Sequence, residues 1–264
     1  MSKRGQITVF MILGFVILIV ILLLYFLQDN LKETIYGTRP VLDKKLTSIK
    51  EEMQKCVSDL SNSAINQMGN QGGTLTPTNY ILFKGEKISY LCFDFPLTDI
   101  DPSTGKHRVG CENQMLVRNK MEKELKDYMK GQFNTCFNAN NFRSTYYKLT
   151  VGEFDINVTI EDDVVKYGVT YPVVLERENV KVNFDGLDFT QETSLGEIQN
   201  AVNDILEFES LFGEFDNVGY TLLQKSRVEV FRTDLYPDTI YSITTPGRQY
   251  TLQFAIKGVD THVV

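Results

Sequence analysis

The chain has 264 residues, with 27 basic against 34 acidic side chains, a net charge of −7 and 42% hydrophobic residues. That composition belongs to a chain able to bury a core rather than to a disordered one, and its acidity opposes nucleic acid and anionic lipid headgroups as partners. With His107 and His262 as the two imidazoles, histidine-based nucleophilic, acid–base or metal chemistry has little to draw on.

Residues 7–27, ITVFMILGFVILIVILLLYFL, form an apolar run with Lys3 and Arg4 before it and no charge until Asp29. As a helix this run rises about 31 Å, close to the hydrocarbon thickness of a bilayer. A cleaved export signal has a shorter apolar region followed by small residues, whereas this run ends in Tyr25, Phe26, Leu27 and Gln28. The sequence therefore predicts a retained single-pass anchor with membrane lipid as its partner through residues 7–27. Basic residues beside a span stay cytoplasmic, which puts the N-terminus inside and everything after Asn30 outside the cell. Setting aside Lys3 and Arg4 takes the net charge from −7 to −9 for the external part.

The start of the chain carries a second signal. Lys3-Arg4-Gly5-Gln6-Ile7-Thr8, running into the apolar helix, resembles the class III signal peptide of archaeal type IV pilin-like proteins. The resemblance implies cleavage between Gly5 and Gln6, with the apolar helix kept in the mature chain and available for self-association. At the fifth mature position, where pilins carry glutamate, this chain has Phe10.

Past a short stalk, the chain is expected to divide at residues 1–37 (signal, membrane helix and stalk), 38–145 (a helical, disulfide-bonded region) and 146–264 (a β-rich region with one helix). From Pro40 to Met68, Leu42, Leu46, Ile49, Met53, Cys56, Leu60 and Ala64 recur at steps of four and three, the spacing of one face of an amphipathic helix. A second such helix runs from about Gln114 to Phe137, with Val117, Met121, Leu125, Tyr128, Met129, Phe133 and Cys136 on one side, and is expected to pack on the first.

All four cysteines, Cys56, Cys92, Cys111 and Cys136, follow the apolar run. An even number outside the cell reads as two disulfides, for which three pairings exist. Cys56 with Cys136 would join the two helices. Cys92 with Cys111 would close the turn-rich excursion Thr98 to Gly105, and this pairing is the expected one. The segments QKCVSDL (54–60), NQGGTL (70–75) and MEKELKDYMKGQFNTCF (121–137) also resemble uncharacterised archaeal membrane-anchored surface proteins, which implies a shared architecture and no activity.

After Ser144 the period changes to two. Phe154, Ile156, Val158 and Ile160 alternate with polar residues, Glu161 to Asp163 make a turn, and Val165, Tyr167, Val169, Tyr171 and Val173 alternate again. This predicts an antiparallel hairpin with one wet face, with Val180, Val182 and Phe184 as a third strand. Ser194 to Leu211, with Leu195, Ile198, Val202, Ile205, Leu206 and Leu211 on its apolar face, reads as an amphipathic helix, and strands return at 228–231, 240–244 and 250–256. The expected class is α+β: an N-terminal transmembrane helix, a helical disulfide-linked region, and an antiparallel sheet with a packed helix.

Candidate chemistry is sparse. Asp99, Asp101 and Ser103 begin like a calcium loop, but Thr104 stands where glycine is needed and Gly110 where the bidentate glutamate belongs, so the segment reads as a turn and no metal or cofactor is expected. Asn157-Val158-Thr159 is a glycosylation acceptor pattern. Tyr146 and Tyr147 read as core or edge packing. No phosphate loop, nucleophile elbow or metalloprotease helix is present. The expected role is non-enzymatic: a pilin-like cell-surface structural subunit of a filament or surface assembly, or else a membrane-tethered ectodomain that binds a partner protein or carbohydrate.

Overall fold

The computed structural model describes residues 13, 14, 16–21, 23, 37–100, 107–212, 215–223, 227–247 and 250–259. Most of the apolar run 7–27 lies outside them, as do Gly5 and Gln6. Among the described residues no helix is long and apolar enough to cross a membrane. Those described within 13–23 are helical with exposed side chains.

The class is α+β. In chain order the elements are α1 (Thr38–Asn70), β1 (Tyr80–Phe83), β2 (Glu86–Ile100), β3 (His107–Asn113), α2 (Arg118–Cys136), a 3-10 turn at Ala139–Phe142, β4 (Lys148–Val151), β5 (Asp155–Ile160), β6 (Val164–Arg177), β7 (Val180–Glu192), α3 (Leu195–Phe212), α4 (Asn217–Leu223), β8 (Glu229–Leu235), β9 (Asp238–Thr244) and β10 (Thr251–Lys257). The chain divides into two compact units: the described parts of Met1–Glu51 with Ala139–Gly152 and Pro172–Asp185, and the described parts of Glu52–Asn138, Glu153–Tyr171 and Gly186–Val264.

α1 follows its apolar period: Leu42, Ile49, Met53, Cys56 and Ala64 are buried, joined by Val57, Ile65 and Met68. It ends where Gly72 and Gly73 take positive φ, and the Gly73 N–H donates to Met68 O at 2.8 Å. A side chain at either glycine would collide with a neighbour, since a Cβ at 72 would lie 2.8 Å from that of Ser89 and one at 73 would lie 2.7 Å from Leu116 Cδ1. The two glycines thus end the helix and let β2 pass close behind it.

The segment between α1 and α2 departs from the expected helical region. It holds β1, β2 and β3, which join β8 to β10 in a six-stranded sheet ordered β1-β2-β10-β9-β8, with β3 also on β2. This sheet is mixed rather than antiparallel, because β10 runs parallel to β2, with Ala255 opposite Tyr90. Strands so far apart in sequence need no tight turn between them, so the hairpin geometry that enforces antiparallel pairing does not apply. β2 and β3 show little strict alternation, which hides them from a period-two reading.

The second sheet has four strands, ordered β4-β6-β5 with β7 also on β6. The expected hairpin is present: β5 and β6 pair antiparallel, with Ile156 opposite Val169 and Ile160 opposite Val165. α2 packs on β5, and α3 packs on β3 and β9. Met121, Leu125, Met129 and Phe133 are the buried face of α2. Phe133 stacks on Phe154 with ring centroids 3.8 Å apart and meets Tyr171 edge-on at 5.3 Å. Ile198, Val202, Ile205 and Leu206 are the fully buried stripe of α3. Val117 and Leu211, expected on buried faces, are exposed because each lies at or near a helix end.

Candidate functional site

Disulfides join Cys56 to Cys136 and Cys92 to Cys111, and no free cysteine remains among the described residues. Cys56 is buried in α1, whereas Cys136 is the exposed last residue of α2, where the helix period no longer dictates burial. Cys111 lies opposite Asp94 in the β2–β3 register, one diagonal step from Cys92. Cys92, Asp94 and Cys111 bring three potential metal-ligand atoms within 4.8 Å of one another, but both sulfurs are committed to the disulfide and offer no thiolate.

Asn157 and Thr159 point to the exposed face of β5. The Asn157 Oδ1 accepts from Lys126 Nζ at 3.2 Å, and its cross-strand partner in β6 is Gly168, which adds no side chain beside the amide. Asp99 lies near the end of β2. Asp101, Ser103 and Thr104 fall outside the described residues.

Three groupings stand out that the sequence pattern does not announce. The first is a cleft of about 360 Å³ lined by Val41, Leu42, Lys45, Ser48, Asn141, Phe142, Arg143, Ser144, Tyr146, Tyr147 and Arg177. It belongs wholly to the first of the two units. Its two tyrosines differ in role. The Tyr147 hydroxyl donates to Phe142 O at 2.5 Å, and burial pushes its pKa up, so it packs as the sequence suggests. Tyr146 does not: it is 47% exposed, with the Arg177 guanidinium 6.0 Å from its ring centroid. The one trace of this cleft in the sequence is RSTYYK at 143–148, where basic and aromatic residues interleave. Lys45 and Arg177 come from distant stretches.

The second is an acidic cluster at β2 and β9, in which Glu209 is buried and Asp94 and Asp238 are half-buried. Tyr241 donates to Glu209 Oε1 at 2.5 Å, and Tyr90 donates to Asp238 Oδ2 at 2.7 Å. Asp94 is pushed up to about 7, first by burial and then by the charges of Glu209 and Asp238. Both tyrosines are raised chiefly by burial, with their carboxylate partners adding to it.

The third is a polar cavity of about 330 Å³ lined by Asn62, Ile65, Asn66, Gln191, Glu192, Thr193 and Tyr250. Ser61, fully buried, hydrogen-bonds both the Tyr167 hydroxyl and Gln191 Oε1, and Gln191 Nε2 donates to Asn62 Oδ1 at 2.6 Å. The hydroxyls of Thr193 and Tyr250 are buried with no partner among the described residues.

No protein-family model matches the chain, no curated protein is similar to it, and no solved structure matches its fold.

Proposed function

We propose that the chain is a non-enzymatic cell-surface protein, held in the membrane by residues 7–27 with its N-terminus cytoplasmic and the rest extracellular, and that it is a pilin-like subunit of a filament or surface assembly. The observation that supports the extracellular placement most directly is the use of all four cysteines in two disulfides, because disulfides form and persist in oxidising compartments. Residues 3–27 supply the rest: a basic stub, a Gly5-Gln6 junction and an apolar helix uncharged through Gln28. Such a helix packs against copies of itself around Gly14 by exchanging lipid contacts for close side-chain packing. With Phe10 in place of a glutamate, apolar interdigitation rather than a buried charge pair sets the register.

The test is the intact mass of the native protein together with negative-stain microscopy of surface material. A mature chain beginning at Gln6, an unprocessed form on changing Gly5 to Leu, and filaments that disappear with the protein are the expected results. Every mature copy retaining Met1 to Gly5, with no filament, leaves a plain signal anchor and removes the subunit role.

The cleft lined by Lys45, Arg143, Tyr146 and Arg177 favours a second reading, a membrane-tethered ectodomain that binds a carbohydrate or partner protein. Clefts of this size with a few convergent polar groups are the usual form of a small-ligand site.

A further inference from the structure

The polar cavity of the second unit holds two hydroxyls that the fold does not use. Thr193 and Tyr250 both line it and are 6% and 5% exposed, and their hydroxyls have no partner among the described residues. A Cβ at Gly69 would lie 3.1 Å from the Tyr250 hydroxyl oxygen, which seats that hydroxyl against α1, one turn beyond Ile65 and Asn66 of the same lining. Burial pushes the Tyr250 pKa up, so the hydroxyl keeps its proton. Valine and phenylalanine have the shapes of threonine and tyrosine without the desolvation cost of an unmet hydroxyl. Packing alone therefore gives no reason for either hydroxyl, whereas a ligand that meets them does.

The rest of the lining narrows the choice of ligand. Ser61 donates to Gln191 Oε1, and Gln191 Nε2 donates to Asn62 Oδ1 at 2.6 Å, so both amides are held in one orientation. Asn62 Nδ2 is left without a partner among the described residues. Asn62, Asn66 and Glu192 are exposed and form the mouth of the cavity. No basic side chain lines it among the described residues, so an anion finds no countercharge. An ammonium ion meets Glu192 but has no lone pair with which to accept from Thr193 or Tyr250. An apolar molecule leaves the amides, the carboxylate and the hydroxyls unmet. A hydroxyl both donates and accepts. Adjacent hydroxyls on one ring therefore accept from Thr193, Tyr250 and Asn62 and donate to the Glu192 carboxylate, while Ile65 offers an apolar surface to the ring C–H groups. The volume of about 330 Å³ lies at the small end of ligand sites, which suits a single sugar ring.

We propose that this cavity binds a neutral hexopyranose, with Thr193, Tyr250 and Asn62 donating to its hydroxyls, Glu192 accepting from them at the mouth and Ile65 against the ring. The site lies in the second unit, apart from the cleft of Lys45, Arg143, Tyr146 and Arg177 in the first. It goes beyond both readings of function and depends on neither, because binding is measured on the purified full chain whatever its processing, topology or assembly.

The probes are D-glucose, D-galactose and D-mannose, each also as its methyl glycoside, with putrescine as a cation and sodium phosphate as an anion. Each is titrated by calorimetry into the full chain in a non-ionic detergent without a sugar headgroup. At least one hexose is expected to bind about tenfold or more tightly than putrescine or phosphate. Its affinity should change less than about twofold between roughly 50 and 500 mM salt, since a neutral ligand has no charge to screen. Thr193→Val and Tyr250→Phe should each weaken it about fivefold by removing one hydrogen bond to the ligand. Both remove a hydroxyl that makes no bond within the chain's described residues, so in the absence of sugar each variant should melt at or above the native temperature. Binding retained by the methyl glycoside marks a sugar at the end of a glycan, and binding lost marks a free hexose; either supports the site. No binding of any of the three hexoses would leave water alone in the cavity and overturn the proposal. Hexose binding that either variant leaves undiminished, or putrescine or phosphate matching the best hexose, would overturn it as well.

Discussion

The Tyr241 hydroxyl donates to Glu209 Oε1 at 2.5 Å inside the second unit, where Glu209 is 5% exposed and Tyr241 is fully buried. The same carboxylate oxygen accepts from the Phe215 N–H at 3.3 Å, so one buried acid ties the end of α3 to β9 and to the segment just before α4. A buried carboxylate is tolerated only while donors surround it. Tyr241→Phe removes the shorter of these two bonds with almost no change in volume and should lower stability by about 1–3 kcal/mol. Urea unfolding of the full chain in detergent measures this, and a variant as stable as the native chain would mean that the bond contributes nothing.

Asp94 gives the pH dependence a definite sign. Its carboxyl is raised from 3.8 to about 7 in the folded chain, so between those values the folded state holds a proton that the unfolded state has lost. Stability from this group is therefore greatest below about pH 4, falls as pH rises through about 7, and is level above that. The full shift corresponds to about 4 kcal/mol, but Asp94 is only partly buried, and solvent screening reduces the expected effect to roughly 1–2 kcal/mol. Asp94→Asn should raise the melting temperature at pH 8 and flatten the slope between pH 5 and 8. A variant with the native slope would assign the titration to another group.

The two disulfides close loops of different length, with sequence separations of 80 and 19. In the chain-entropy account, replacing Cys56 and Cys136 by serine costs about 4.5 kcal/mol, and replacing Cys92 and Cys111 costs about 3 kcal/mol. Denaturant midpoints of the two double variants check the order. A larger loss from the Cys92–Cys111 pair would show that the β2–β3 hairpin depends on its bridge for more than loop closure.

Tyr250→Phe removes a hydroxyl that is buried without a partner among the described residues. The native state is relieved of a desolvation cost while the unfolded chain loses a hydrated group, so the variant should match or exceed native stability by up to about 1 kcal/mol. A loss of 1 kcal/mol or more in calorimetric unfolding would reveal a bond that the hydroxyl does make.

Periodicity by itself determined the parts of this protein whose burial is local. The faces of α1, α2 and α3 and the β5–β6 hairpin follow from apolar spacing, because a helix or strand with one dry side must repeat its apolar residues at its own period. The paired cysteines were legible for a related reason: Cys56 sits on the buried stripe of α1, and Cys92 and Cys111 lie on strands that pair antiparallel. What periodicity does not carry is the identity of the surface that covers a face. The parallel pairing of β2 with β10, the burial of Glu209 against Tyr241, and the meeting of Lys45, Arg143, Tyr146 and Arg177 in one cleft each join residues tens to more than a hundred positions apart. Such pairings are chosen by competition among many contacts over the whole chain. No local propensity distinguishes a glutamate that will face water from one that will be enclosed by donors, so only the tertiary structure decided them.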